Sequence, residues 1–72
     1  MTIRELFREL KSNMTQTQFA ALIGVTQFTV SAVLSGKRRP GPRVVKGLLQ
    51  AFPERRGEIL AVFYQEATND AG

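Results

Sequence analysis

The middle of the chain, residues 16–35, carries two short apolar segments separated by a single glycine. Apolar residues fall at helical spacing on both sides of Gly24. Glycine readily adopts the left-handed backbone that ends a helix and turns the chain. Ala20 is small enough to let a second helix cross close to the first. The segment therefore predicts two short helices joined by a tight turn, seated by Phe19, Ile23, Val25, Val30 and Val33.

The rest of the chain also has helical spacing and lacks the alternation of a half-buried strand. Thr2 and Glu5 have the spacing of a capping box at the start of a first helix. Pro42 and Pro53 suit the first turns of a fourth and a fifth helix. Gly47 disfavours a helix, and close helix packing is one reason for its presence. We predict an all-α fold, a compact five-helix bundle whose helices 2 and 3 form a helix-turn-helix.

The composition excludes several kinds of site. The 72 residues allow one domain, expected over residues 1–67, with a flexible tail at residues 68–72. Without cysteine or histidine, the chain has no disulfide, no thiolate or imidazole metal site and no Ser–His or Cys–His catalytic pair. We expect no metal, no cofactor and no enzymatic activity. The longest apolar run, residues 59–64, is too short to span a bilayer, so we expect a cytoplasmic protein with no membrane partner.

The net charge of +4 is concentrated in one block. Five of the ten lysine and arginine side chains lie in residues 37–46, whereas residues 12–36 hold no charged side chain. A basic block beside a neutral stretch is typical of a protein that binds a polyanion. The alternative is a solvated loop whose charge only keeps the chain in solution.

The order of residues around the basic block is similar to that of a known family. A Thr-Gln pair opens the second helix, a glycine ends it, and Ser-Gly-Lys follows the third helix. The matching residues are Met14, Thr15, Gln16, Ala20, Ile23, Gly24, Val25, Thr26, Val30, Ser35, Gly36 and Lys37. Over residues 2–65 the chain resembles the lambda-repressor-like, Cro and xenobiotic-response-element class of helix-turn-helix proteins. The resemblance implies a domain that binds double-stranded DNA with its third helix in the major groove.

Helix 3 has a small, uncharged polar face at its N-terminal end, as a helix entering the major groove needs. The amide of Gln27 both donates and accepts, which suits adenine, and Phe28 can contact a thymine methyl group. The resemblance implies that these two are among the principal base-reading residues. Two alternatives stay open: Gln27 is a solvated surface residue, or Phe28 folds back over Phe19 or Leu22. The predicted base-reading residues are Thr26, Gln27, Phe28, Thr29 and Ser31.

Because helix 3 is uncharged, attraction to the DNA backbone has to come from the residues around it. The resemblance implies that the loop after helix 3 runs along the phosphates and that Gln16 hydrogen-bonds one of them. Free N–H groups at the start of helix 2 favour an anion there, and Thr15 is either the helix cap or a further contact. Thr17 and Gln18 are expected to be plain surface residues. The predicted phosphate-binding residues are Thr15, Gln16, Lys37, Arg38, Arg39, Arg43 and Lys46.

Helix 5 carries more apolar area than one buried stripe requires. Either Leu60, Phe63 and Tyr64 or Ile59 with Val62 forms a second face, and the alternative is that all of them close the core of one chain. We expect a two-fold homodimer, because one helix-turn-helix reads only a few base pairs. The predicted interface residues are Phe52, Ile59, Leu60, Phe63 and Tyr64.

These features together predict a sequence-specific transcriptional regulator that resembles a Cro-type phage or bacterial repressor. Its expected partner is an inverted-repeat operator in double-stranded DNA, and no small-molecule ligand is expected. The alternative is a helical protein-interaction module or an antitoxin-type partner-binding protein, in which DNA binding is secondary or absent. The basic block would then meet an acidic protein or a membrane surface.

Overall fold

The computed structural model describes the backbone of residues 2–71 and the side chains of residues 2–65. Within this part of the chain, five α-helices and a short 3₁₀ turn follow one another, and no strand is present. The predicted all-α fold with five helices is therefore confirmed. The elements are α1 (Ile3–Lys11), α2 (Gln16–Ile23), α3 (Gln27–Ser35), α4 (Pro42–Ala51), the 3₁₀ turn (Pro53–Arg55) and α5 (Arg56–Ala71).

Hydrogen-bonded threonine caps set the starts of the first three helices. At α1 the Glu5 N–H donates to Thr2 Oγ1 (3.1 Å) and the Thr2 N–H donates to Glu5 Oε1 (2.8 Å), which is the predicted capping box. Donation from the Thr2 backbone N–H lowers the pKa of the Glu5 carboxyl. At α3 Thr26 Oγ1 accepts from the Thr29 N–H at 3.2 Å. These local bonds satisfy N–H groups that a helix start leaves without partners.

Two glycines in the left-handed conformation end α2 and α3, Gly24 with φ 77° and Gly36 with φ 82°. The N–H groups of Gly24 and Val25 both donate to the Ala20 carbonyl oxygen, at 2.9 and 3.0 Å. A Cβ at Gly24 would meet no atom within 4 Å, so the backbone conformation rather than space requires glycine there. The predicted turn at Gly24 is confirmed.

An apolar core joins all five helices. At its centre the rings of Phe7 and Phe19 pack edge to face with their centroids 5.0 Å apart. Phe52 adds a third ring 6.3 Å from Phe19 and remains partly exposed. Val25, predicted to seat the turn, is half-buried against this core. The buried apolar residues are Ile3, Leu6, Phe7, Leu10, Phe19, Ala20, Ile23, Val30, Val33, Val44, Val45, Leu48, Ile59 and Val62.

Helix α4 comes very close to the end of α2 at Gly47. A Cβ at this position would lie 2.0 Å from the Ile23 carbonyl oxygen and 2.9 Å from its carbonyl carbon. Non-bonded atoms cannot approach so closely, so only glycine permits this helix contact. Close packing is therefore the reason for the glycine, as the sequence indicated, and it outweighs the poor helix propensity of Gly47.

Polar contacts fix the 3₁₀ turn against its neighbours. Arg55 Nε donates to Glu58 Oε1 at 2.7 Å, and Arg55 Nη2 lies 3.3 Å from Glu9 Oε1 on α1. The hydrogen bond to Glu58 chiefly raises the pKa of the Arg55 guanidinium. Helix α5 then continues to Ala71, past residue 67, the predicted end of the domain. The side chains of residues 66–71 and all of residue 72 lie outside the described residues, so the flexible tail at 68–72 stays a prediction.

Candidate nucleic-acid interface

The N-terminal half of α3 presents an uncharged face to solvent. Gln27 and Ser31 are exposed, whereas Val30 and Val33 point into the core and hold the helix in place. The chain turns by 110° between α2 and α3, so the two helices point in different directions. Two exposed side chains and a supporting buried pair give this helix the form that a groove-binding helix needs.

Phe28 is 76% exposed, the highest value among the large apolar side chains described. Leu22 is itself 49% exposed, and the ring of Phe19 packs against those of Phe7 and Phe52. The alternative in which Phe28 folds back over Phe19 or Leu22 is therefore wrong. A large aromatic ring stands free at the start of α3, where it is available to a partner.

Thr26 and Thr29 differ from the other predicted base-reading residues, because they bond to each other. Their hydroxyl oxygens lie 3.1 Å apart, and Thr26 Oγ1 also accepts from the Thr29 N–H. Thr29 is half-buried, while Thr26 is exposed. Part of the hydrogen-bonding capacity of both side chains is thus used at the start of α3.

A side-chain hydrogen bond crosses from α2 to Gln27. Thr17 Oγ1 donates to Gln27 Oε1 at 2.6 Å. Thr17 is the second residue of α2 and Gln27 the first of α3. The sequence predicted Thr17 to be a plain surface residue. It is exposed as expected, but it is also hydrogen-bonded to the first residue of α3, which was not predicted. No spacing rule gives this pair, because its distance depends on the angle between the two helices.

The start of α2 is closed by a second capping box. Thr15 Oγ1 accepts from the Gln18 N–H, and Gln18 Oε1 accepts from the Thr15 N–H, both at 3.0 Å. Thr15 is therefore the helix cap, the first of the two roles the sequence allowed. Gln18 was expected to be a plain surface residue, yet a threonine followed three residues later by glutamine is the capping-box signal. Gln16, the first residue of α2, is exposed beside this cap.

The backbone of the basic loop is held against the end of α3. The Lys37 and Arg38 N–H groups donate to the Ala32 carbonyl oxygen at 3.0 and 3.2 Å. Arg4 of α1 also contacts the end of α3, because its Nε donates to the Leu34 carbonyl oxygen at 2.9 Å. The side chains of the basic block are all exposed, namely Lys37, Arg38, Arg39, Arg43 and Lys46.

A groove of about 780 Å³ separates the Gly24 turn from the loop after α3. Thr26 and Thr29 line one part of it, and Arg38, Arg39 and Arg43 line another. The groove therefore brings two predicted base-reading residues together with three predicted phosphate-binding residues. Lys37, Lys46 and Gln16 lie outside its lining. Guanidinium groups around a concave surface attract an anion such as a phosphate.

The comparison with protein-family models places the chain in a family. Residues 3–59 match the helix-turn-helix model of the xenobiotic-response-element and lambda-repressor-like type. The match runs from the start of α1 into α5 and covers most of the chain. The chain belongs to this helix-turn-helix family. Searches of curated proteins and of solved structures found no match.

As a helix-turn-helix protein of this type, the molecule is a DNA-binding transcription regulator. The family is regulatory and is not typically enzymatic. Among the described residues, no group of three or more aspartate, glutamate, histidine or cysteine side chains could hold a metal ion. No single helix in this part of the chain is long and apolar enough to cross a membrane, although α2 and α3 as a bent pair meet the same length and composition test.

The predicted dimer residues of this helix-turn-helix protein do not share one environment. Ile59 is fully buried and Val62 is 8% exposed, so both belong to the core of one chain. Ile59 therefore has no surface left for a second chain, and this part of the prediction needs correction. Tyr64 is 70% exposed, and its ring lies 6.3 Å from that of Phe63. Leu60, Phe63 and Phe52 are half-buried.

Proposed function

We propose that this helix-turn-helix regulator recognises a specific sequence of double-stranded DNA through the major groove. The observation that carries the proposal is the exposed, uncharged N-terminal face of α3 beside a groove lined by arginines. Base edges are read by polar and apolar groups, whereas phosphates are bound by cations. The two kinds of side chain occur here on adjacent surfaces in the arrangement that DNA binding requires.

The first turn of α3 carries the base reading. The Gln27 amide has the donor and acceptor that pair with adenine, and the exposed ring of Phe28 covers a thymine methyl group. Ser31 lies one turn further along the same helix and contacts the next bases. Thr26 and Thr29 add methyl contacts, because their hydroxyl groups bond to each other.

Phosphate binding surrounds the reading helix on two sides. On one side, Gln16 and the free N–H groups of the first turn of α2 hydrogen-bond a phosphate, with Thr15 holding that turn in shape. On the other side, the basic block neutralises the opposite strand. Its members are Lys37, Arg38 and Arg39 in the loop and Arg43 and Lys46 on α4.

The regulator acts as a homodimer on an inverted repeat. One reading helix covers only a few base pairs, so two copies related by a two-fold axis give useful affinity. We assign the contact between copies to the outer surface of α5, formed by Leu60, Phe63 and Tyr64 with Phe52 at its edge. We propose that it is a Cro-type repressor of a phage or bacterium, as the resemblance implies, and that it works in the cytoplasm by covering promoter DNA.

Selection of bound duplexes from a random library tests the proposal most directly. We expect the selected sequences to contain an inverted repeat rich in adenine and thymine at the positions nearest α3. A dimer that neutralises about 8 phosphates should show a slope near −7 when log affinity is plotted against log salt. Selected and random duplexes that bind equally weakly would contradict the proposal and favour a protein-interaction module.

A pair of single substitutions separates base reading from phosphate binding. Gln27→Ala should cost about 1–3 kcal/mol of binding and relax the preference at particular base pairs, because it removes a base contact. Arg39→Ala should weaken all sequences alike and flatten the salt slope by about one. Fluorescence anisotropy with selected and mismatched duplexes at several salt concentrations measures both. Equal effects of the two substitutions on every sequence would overturn these role assignments.

A further inference from the structure

One aromatic side chain lies in solvent at the start of the reading helix. Phe28 is the second residue of α3, and its side chain is 76% exposed. Among the other apolar side chains of this helix, Val30 and Val33 are buried, and Ala32 and Leu34 are half-buried. Phe28 is therefore not part of the buried stripe of α3. A phenyl ring carries no ordinary hydrogen-bonding group, so it recognises a partner by apolar contact.

The rest of α3 lacks the charged side chains that read a C·G pair best. Guanine is most often bound through O6 and N7 by arginine or lysine, and the N4 donor of cytosine is bound by glutamate or aspartate. None of these four residue types occurs among the nine residues of α3. A C·G pair placed against this helix therefore finds no charged partner on it. An apolar group on the edge of a base is the feature that Phe28 is suited to recognise.

The apolar group on the major-groove edge of the unmodified bases is the C5 methyl group of thymine. Methylation of cytosine places a methyl group on the same ring position. The two methylated pyrimidines then differ at position 4, where thymine has an oxygen acceptor and cytosine has an amino donor. A phenyl ring makes no ordinary hydrogen bond with either group. The methyl group that the two bases share is therefore the feature that a phenyl ring detects.

We propose that this regulator distinguishes 5-methylcytosine from cytosine, because Phe28 contacts the C5 methyl group of either methylated pyrimidine. This inference rests on the proposed function, in which the first turn of α3 lies in the major groove. Methylation of a cytosine at the contacted position strengthens binding, although the order of the bases is unchanged. One methyl group removed from water corresponds to about a fourfold change in affinity, or about 0.8 kcal/mol.

The test starts from a duplex that the unmodified chain selects from a random library. Each thymine of one half-site is replaced in turn by deoxyuridine, which lacks only the methyl group. The contacted thymine is the one whose replacement weakens the unmodified chain but not Phe28→Ala. Its T·A pair is then replaced by C·G in one duplex and by 5-methylcytosine·G in another. We expect the unmodified chain to bind the methylated duplex about fourfold more tightly, as measured by fluorescence anisotropy at constant salt.

Two substitutions and one further duplex serve as controls. Phe28→Ala should bind the methylated and unmethylated duplexes equally, because the ring that contacts the methyl group is gone. Leu22→Ala also shortens an exposed apolar side chain, but on α2, and should keep the fourfold ratio. Methylation of a cytosine outside the inverted repeat should leave the affinity of the unmodified chain unchanged. Thermal unfolding of each variant checks that the fold is intact.

Three results would overturn the inference alone. These are equal binding of the two duplexes by the unmodified chain, a fourfold ratio that persists in Phe28→Ala, and a selected half-site in which no thymine responds to deoxyuridine. In each case the chain still selects a duplex, so sequence-specific binding is retained. An unmodified chain that selects no duplex would overturn the proposed function and this inference together.

Discussion

At the scale of single residues, Phe28 is the side chain that least resembles an ordinary surface position. A ring that is 76% exposed gains little from the fold of its own chain. Its neighbours in α3 are small or polar, so it does not extend the buried stripe of that helix. Its exposed surface is therefore available to contact the thymine methyl group of an A·T pair.

Phe28→Ala should leave folding stability within about 0.5 kcal/mol of the unmodified chain, because an exposed side chain contributes little to the core. DNA affinity should fall by about 1–2 kcal/mol, as expected for apolar area covered by a thymine methyl group. Urea unfolding and fluorescence anisotropy measure the two quantities.

Deoxyuridine provides the matched control for this prediction, because it lacks only the thymine methyl group. Replacing the contacted thymine should weaken the unmodified chain by about 0.8 kcal/mol and have no effect on Phe28→Ala. A loss of the same size in both proteins would show that Phe28 does not contact that methyl group.

Residue environments were predictable to the extent that they depend on local spacing. The threonine caps at α1, α2 and α3 and the left-handed Gly24 follow from neighbours in the sequence. The bonds of Thr17 to Gln27 and of Arg4 to the Leu34 carbonyl oxygen were not predicted. Both join residues on different helices, so their distances depend on how the helices pack.

At the scale of elements, the contact of α4 with α2 fixes the helix-turn-helix against the rest of the bundle. Gly47 lies over the Ile23 carbonyl group, next to the Gly24 turn. The end of α2 therefore packs against α4 at the point where the chain turns into α3. The orientation of the reading helix depends on this contact as well as on the turn itself.

Gly47→Ala should destabilise the fold by at least about 2 kcal/mol, because the new methyl group overlaps the Ile23 backbone. The helix propensity of alanine recovers only about 1 kcal/mol. Urea unfolding gives the free energy of unfolding of both proteins. The variant should unfold at a lower midpoint urea concentration, and the dependence of the free energy on urea should be unchanged.

Gly57→Ala is the control for the same substitution in open space. Gly57 lies in the first turn of α5, and a Cβ there would meet nothing within 4 Å. We expect this variant to be more stable by about 0.5–1 kcal/mol, since alanine restricts the unfolded chain. Equal stabilisation by both substitutions would contradict the close approach at Gly47.

The boundaries of α1 to α4 were predictable because caps, glycines and prolines mark them. The end of α5 was not, because residues 65–70 contain neither glycine nor proline to stop a helix. The sequence also did not distinguish the residues of α5 that enter the core from those that lie at the surface. Ile59 and Val62 proved to be core residues, and Leu60, Phe63 and Tyr64 lie nearer to solvent.

At the scale of the whole molecule, the proposed dimer depends on this outer surface of α5. Tyr64 is the most exposed of its members and is therefore the best place to disturb the contact between copies without damaging the core. Its backbone lies within a regular helix, which a polar side chain tolerates. The core residues Ile59 and Val62 are unsuitable for this purpose.

Tyr64→Lys should shift the chain from dimer to monomer in sedimentation equilibrium, because it places a charge on each side of the contact. The affinity for a complete inverted repeat should fall toward that for a single half-site. Leu22→Lys is the control, because Leu22 is also an exposed apolar residue but lies on α2. This variant should leave the oligomeric state unchanged. An unmodified chain that is monomeric at high micromolar concentration would refute the dimer.

The absence of charge from residues 12–36 has a consequence for how the regulator would behave in cells. Ionic strength acts on contacts between cations and phosphates, and under the proposed function these lie in the basic block. The base contacts of α3 involve neutral groups, so they release no counterions. A change in intracellular salt would therefore shift how much of the protein is on DNA, while its choice among sequences would stay nearly constant.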